Sequence, residues 1–211
     1  MMLFRRKLLW IAVFGIAFAF VESAVVVYLR ALYYPEGFTL PLRIMSENHK
    51  VVELLREAST ILMLGSVGIL AGTEGWERFG YFMAAFGVWD IFYYVWLKVL
   101  LHWPVSWFDF DILFLLPVPW IGPVLAPVCI SFIMIAAGAM IVRTVERTGE
   151  FRPPLIAFVL ATAATIIVLY TFVSNTRAAI NLEVPYQYNY YVFAVSLLLY
   201  ALAFVKSFKT N

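Results

Sequence analysis

Six apolar runs, at roughly 8–29, 51–72, 79–101, 123–142, 154–173 and 190–205, constrain this chain more than any other feature. Each holds at least about 16 residues, and a helix of ~20 residues at ~1.5 Å per residue crosses a hydrocarbon core of ~30 Å. Lipid offers a backbone no water to bond, so only helices or closed barrels can span it. Strict apolar–polar alternation is absent, which argues against the barrel. The sequence therefore predicts an all-α fold: a polytopic transmembrane bundle of about six spans, one integral membrane domain over residues 1–211, with the lipid bilayer as its surroundings.

Composition agrees with that reading. The chain is 64% hydrophobic and 13% charged, with a mean hydropathy of +0.90, whereas soluble domains carry about 25% charged residues. A formal net charge of +2 and a single short basic run, Arg5-Arg6-Lys7, leave no patch for nucleic acid. Cys129 is the sole cysteine, which excludes an intrachain disulfide, a CxxC pair and a thiolate metal cage. Within an apolar run it reads as a packed, inert thiol. The N-terminus imitates a secretory signal, with a basic start and Val21-Glu22-Ser23-Ala24 as a cleavage-like site. The apolar stretch nevertheless continues to Leu29, so it is expected to be an uncleaved first span.

Lysine and arginine set the expected orientation. With the N-terminus inside, the inner segments hold nine: Arg5, Arg6, Lys7, Arg78, Arg143, Arg147, Arg152, Lys206 and Lys209. The outer segments hold four: Arg30, Arg43, Lys50 and Arg177. Both chain ends are thus expected on the cytoplasmic side. The connection 102–122 has no Lys or Arg and is rich in Trp and Pro. Its Ser106-x-x-Asp109 pattern ahead of apolar Phe110–Leu116 predicts a short interfacial or re-entrant helix near 107–116, stopped by Pro117. Pro123 is then expected in the first turn of the fourth span. Small residues (Ala12, Gly15, Ala19 and Ser23 on the first helix, Gly68 and Gly72 on the second) predict close helix contacts.

Ionisable residues inside spans are costly and usually face the protein interior. Asp90, Tyr94, Lys98 and His102 recur every four residues on the third helix, and at 100° per residue they share one ~120° stripe. His49, Glu53, Glu57 and Thr60 make a similar stripe on the second helix, and Glu22 and Arg30 nearly share a face of the first. Asp90 falls near the middle of its span, but both histidines and most of the charges lie in the outer half, where Asp109, Asp111, Asn175, Arg177, Asn181 and Glu183 join from the connections. Simple charge neutralisation, with Glu22, Asp90 or Glu57 pairing Lys98 or Arg56, competes with a functional pocket as the explanation. Arg56, beside Glu57, also has the option of snorkelling to the interface.

The pocket reading assigns Asp90 or Glu53 as base and Lys98 as electrostatic stabiliser, with Glu22, Glu57, Tyr94, His102 and Asp109 binding ligand. A divalent metal on His49, Glu53 and His102 is a weaker alternative, because residues four apart on a helix share a face. No G-x-S-x-G, P-loop, dinucleotide fingerprint or HExxH is present. Glu53-Leu54-Leu55-Arg56-Glu57-Ala58, the run from Gly87 to Lys98 and the run from Leu116 to Pro123 resemble an uncharacterised group of bacterial polytopic membrane proteins. The resemblance covers the middle half of the chain and implies a bacterial inner membrane, with no activity attached. Function is left between three classes: a protein binding or acting on a small, lipidic or ionic ligand, a transporter or proton-coupled permease, and a structural subunit. The last implies a homo-oligomer or a membrane-complex partner.

Overall fold

The apolar runs form six α-helices in a computed structural model that describes residues 2–38, 45–174, 176, 181 and 187–209, and of residues 2–4 only the backbone. They are α1 (Met2–Tyr33), α2 (Glu47–Ala71), α3 (Gly75–Leu101), α4 (Leu125–Thr148), α5 (Leu155–Val173) and α6 (Tyr190–Lys209). All six are long and apolar enough to cross a membrane. The protein is an all-α polytopic bundle. Every helix but α5 runs beyond its expected span at one end or both, and in two of them the local reason is visible. Ser46 caps α2, its side chain accepting the His49 backbone N–H. At the far end of α4, Arg143 and Arg147 extend the helix until Gly149, with φ of 85°, takes the left-handed position that ends it.

α3 is the central helix, packed on α1, α2 and α4. Small residues bring the backbones together. A Cβ on Gly138 of α4 would lie 2.4 Å from the Gly80 carbonyl oxygen, and one on Gly87 would lie 2.5 Å from that of Ser131. The expected small face of α1 does pack: Ala19 and Ser23 are fully buried, and Ser23 Oγ donates to the carbonyls of Ala19 and Tyr93. Gly68 and Gly72 both abut Arg78 at the start of α3. α5 and α6 pack chiefly on each other, with Thr165 Oγ1 2.8 Å from the Tyr200 hydroxyl.

The short helix expected near 107–116 is absent, and in its place stands a β-hairpin of β1 (Phe110–Phe114) and β2 (Trp120–Pro123). The strands pair antiparallel, Phe110 with Pro123 and Ile112 with Ile121, with an irregularity between Ile112 and Phe114. Two physical reasons account for the difference. Asp109 Oδ2 accepts from the Val105 and Ser106 amides behind it, and Ser106 Oγ accepts from Phe108, which closes a turn instead of opening a helix. A two-turn helix is also too short to repay its nucleation cost, whereas the hairpin pairs its amides across the ladder. Pro123 accordingly ends β2, and Pro127 occupies the first turn of α4.

Candidate functional site

The hairpin folds back against the helices instead of lying apart from them. Phe114 meets Phe86 and Trp89 of α3, and Trp120 stacks on Phe172 of α5 with ring centroids 6.4 Å apart. The N–H groups just past β1 would be costly to leave bare in a bundle. Glu57 of α2 supplies the acceptor: its carboxylate takes Leu115 N–H at 2.9 Å and Leu116 N–H at 3.2 Å. The hairpin thereby becomes one wall of a cavity of about 570 Å³ bounded by α1, α2 and α3.

Five carboxylates line this cavity (Glu22, Glu53, Glu57, Asp90 and Asp111) together with Arg30, Lys50 and Arg56. Arg56 pairs with Glu22 of α1 and, at 2.6 Å, with Glu53 one turn away. Thr60 Oγ1 donates to Glu22 Oε2 at 3.1 Å. Asp90 accepts from Ser131 Oγ of α4 at 2.7 Å. Arg30 reaches from α1 to Asp111 of β1 at 3.3 Å, its guanidinium lying 3.8 Å from the centre of the Trp103 ring and 4.3 Å from that of Phe38. Asp111 lies outside the spanning helices, and burial pushes its carboxyl up to about 6 although Arg30 opposes the shift.

Not every polar atom is answered. Arg30 Nη1 and Trp89 Nε1 are buried with no hydrogen-bond partner among the described residues, and so is Asp111 Oδ2 apart from the neighbouring Tyr94 hydroxyl. Arg30 is 7% exposed, Trp89 5% and Asp111 4%, and all three line the cavity. Two donors and an acceptor therefore sit where a ligand with both kinds of group would satisfy them.

Among the residues singled out in the sequence, Glu22, Glu53, Glu57, Asp90 and Tyr94 come together around the cavity. Lys98 does not join them. It is exposed, and its Nζ donates to the Pro104 carbonyl at 2.7 Å and toward that of His102 at 3.5 Å. The stripe drifts ~40° at each four-residue step, so by Lys98 it has turned ~80° away from Asp90. The carboxylates expected as partners for Lys98 are held elsewhere, Glu22 and Glu53 by Arg56 and Glu57 by the hairpin. Arg56 does not snorkel to the interface but lies inside the cavity.

His102, exposed, is the left-handed C-cap of α3, with φ of 55°, and Asp109 is tied into the turn before β1. His49 is exposed, its Nδ1 bonded to the Tyr33 hydroxyl, so His49, Glu53 and His102 are not assembled as a metal site. Among the described residues no group of three or more His, Cys, Asp or Glu side chains is placed to hold a metal ion. Asn181 is exposed, while Arg43, Asn175, Arg177 and Glu183 lie outside the described residues. Arg30, Asp111 and Trp89 also line the cavity, beyond the residues expected to bind ligand. The eight-residue spacing of Glu22 and Arg30 pointed to Arg30, but Asp111 enters only once the connection folds as a hairpin.

The chain matches no protein-family model, no curated protein and no solved structure. Fold and cavity together define a class, a six-span helical membrane protein with a charged cavity at the hairpin end.

Proposed function

We propose that this is a membrane-embedded binding protein whose charged cavity receives a small polar or ionic ligand, or the polar head of a lipid, from the outer side of a bacterial inner membrane. In this reading both chain ends are cytoplasmic, following the nine-to-four bias of basic residues, and the hairpin end faces the periplasm. The observation that carries it is the Arg30–Asp111 pair, an ion pair in the cavity wall with an open donor on one partner and an open acceptor on the other. A pair serving neutralisation alone would do better with both ends satisfied, since burying unpaired polar atoms is unfavourable. An acid–base role for Glu53 or Asp90 would require release from Arg56 or Ser131, and Lys98 lies outside the cavity, so binding is the function the geometry favours.

The test uses soluble head groups. Purified protein in detergent is heated with glycerol, glycerophosphate or glycerophosphoethanolamine. At least one of the charged compounds should raise the melting temperature of the wild type and leave that of Arg30→Gln/Asp111→Asn unmoved. If none of the three shifts the wild type, the cavity is not a site for such heads.

A further inference from the structure

A second cavity, of about 530 Å³, lies between α3 and α4 on one side and α5 and α6 on the other. Its character is opposite to that of the first. Phenylalanine, methionine, isoleucine and alanine side chains dominate its walls, and its polar groups are mostly paired already, Asp90 with Ser131 and Thr165 with Tyr200. Trp120 Nε1, however, is buried and unpartnered among the described residues. On α3 the cleft runs from Trp76 to Asp90, which at ~1.5 Å per residue is about 21 Å, much of the ~30 Å hydrocarbon core.

The two cavities share three wall residues, Asp90, Leu113 and Phe114. A charged chamber and an apolar trough therefore border one wall at the hairpin. From this junction we infer that the ligand is an amphiphile, a zwitterionic aminophospholipid whose head sits on Arg30–Asp111 and whose hydrocarbon tail lies in the α3–α6 trough. The inference rests on the cavity being a binding site, as proposed above. Charge selects the head. Arg30 and Asp111 present one charge of each sign, and a net anionic head would set a further negative charge beside Asp111. A zwitterion adds no net charge, its phosphate accepting from Arg30 Nη1 and Trp89 Nε1 while its ammonium donates to Asp111 Oδ2. Trp120 Nε1, at the head end of the trough, is placed to donate to an ester carbonyl between head and tail.

The experiment separates head from tail. Delipidated full-length protein in detergent is titrated with dioctanoyl phosphatidylethanolamine, dioctanoyl phosphatidylglycerol and tail-less glycerophosphoethanolamine, with tryptophan fluorescence as the readout. The ethanolamine lipid should bind about tenfold or more tightly than either of the others. Ala161→Phe on α5 or Ala137→Phe on α4 puts a ring into the trough. Either should weaken the dioctanoyl lipid about tenfold and leave glycerophosphoethanolamine unchanged, and the two sites guard against one variant failing to fold. Equal affinity for the tailed and tail-less compounds overturns the trough while leaving the cavity reading standing. Equal or tighter binding of the glycerol lipid overturns the choice of head. Failure of all three to bind overturns both readings.

Discussion

The half built from α1, α2, α3 and the hairpin and the pair made by α5 and α6 solve the same problem differently. α5 contains no Asp, Glu, Lys, Arg or His, and α6 has only Lys206 and Lys209 in its last turn. Their mutual contacts are apolar side chains plus neutral hydrogen bonds such as Thr165–Tyr200. The first half instead buries Glu22, Arg30, Glu53, Glu57 and Asp111. Lipid tails are as apolar as leucine, so a span gains little from hiding apolar surface. The α5–α6 pair shows that spanning needs no such charges. Their concentration in the other half, around a cavity, is the reason to look there for function.

Breaking the contrast at its strongest point should give the largest effect. Arg56→Met would strand Glu22 and Glu53 together in the bundle. Removing one partner of a buried pair typically costs about 3–5 kcal/mol, so the melting temperature in detergent should fall steeply. Restoring neutrality with Arg56→Met/Glu22→Gln/Glu53→Gln should recover much of it. A triple variant as unstable as the single one would show that Arg56 acts through packing and not through charge.

Next comes the seam both halves depend on. Gly138→Leu would force a side chain into the place where a Cβ already meets the Gly80 carbonyl at 2.4 Å. Overpacking of this kind costs about 1–3 kcal/mol, and here there is backbone, not a flexible side chain, to displace. Glu57→Gln should cost a similar amount, about 1.5–3 kcal/mol, because a charge-assisted clamp on the hairpin amides is lost. Its signature is local: amide exchange at Leu115 and Leu116 should accelerate while α4 is unchanged. Thr165→Val on α5 should cost only about 0.6 kcal/mol, the average for an interhelical hydrogen bond in a membrane.

These cases also mark how far the sequence alone could be followed. Spans were legible because apolar length is a local property, although α2 begins ahead of its expected span because Ser46 caps it. The stripe of Glu53 and Glu57 was legible because four-residue spacing is local too. The hairpin was not. Ser106-x-x-Asp109 looks like a helix start until one knows that Asp109 turns back to Val105, and nothing nearby reveals that Glu57, 58 residues earlier, will cap Leu115. Arg30–Asp111 joins residues 81 apart in sequence through that same hairpin. The missed residues share one cause: each depends on how a segment without helical periodicity folds back.

Lys98 gives a comparably small expected effect on stability and the sharpest boundary. It shares a helix with Asp90, two turns or about 12 Å further on, and from spacing alone the two look equivalent. In the structure they separate completely. Asp90 sits in the wall both cavities share, bonded to Ser131, whereas Lys98 reaches the carbonyls beyond the end of α3. A cation at a helix C-terminus contributes about 0.3–1 kcal/mol, less where salt screens it. Lys98→Met should therefore leave the melting temperature within a degree or two of wild type, and head-group titrations should be superimposable on those of the parent. Asp90→Asn keeps the shape and alters the charge at the junction, so it should change the affinity for the tailed lipid while the helices stay assembled. If Lys98→Met instead abolished binding and Asp90→Asn did nothing, the ligand would sit at the exposed mouth beside Trp103 and Pro104, and the cavity walls drawn here would enclose the wrong space.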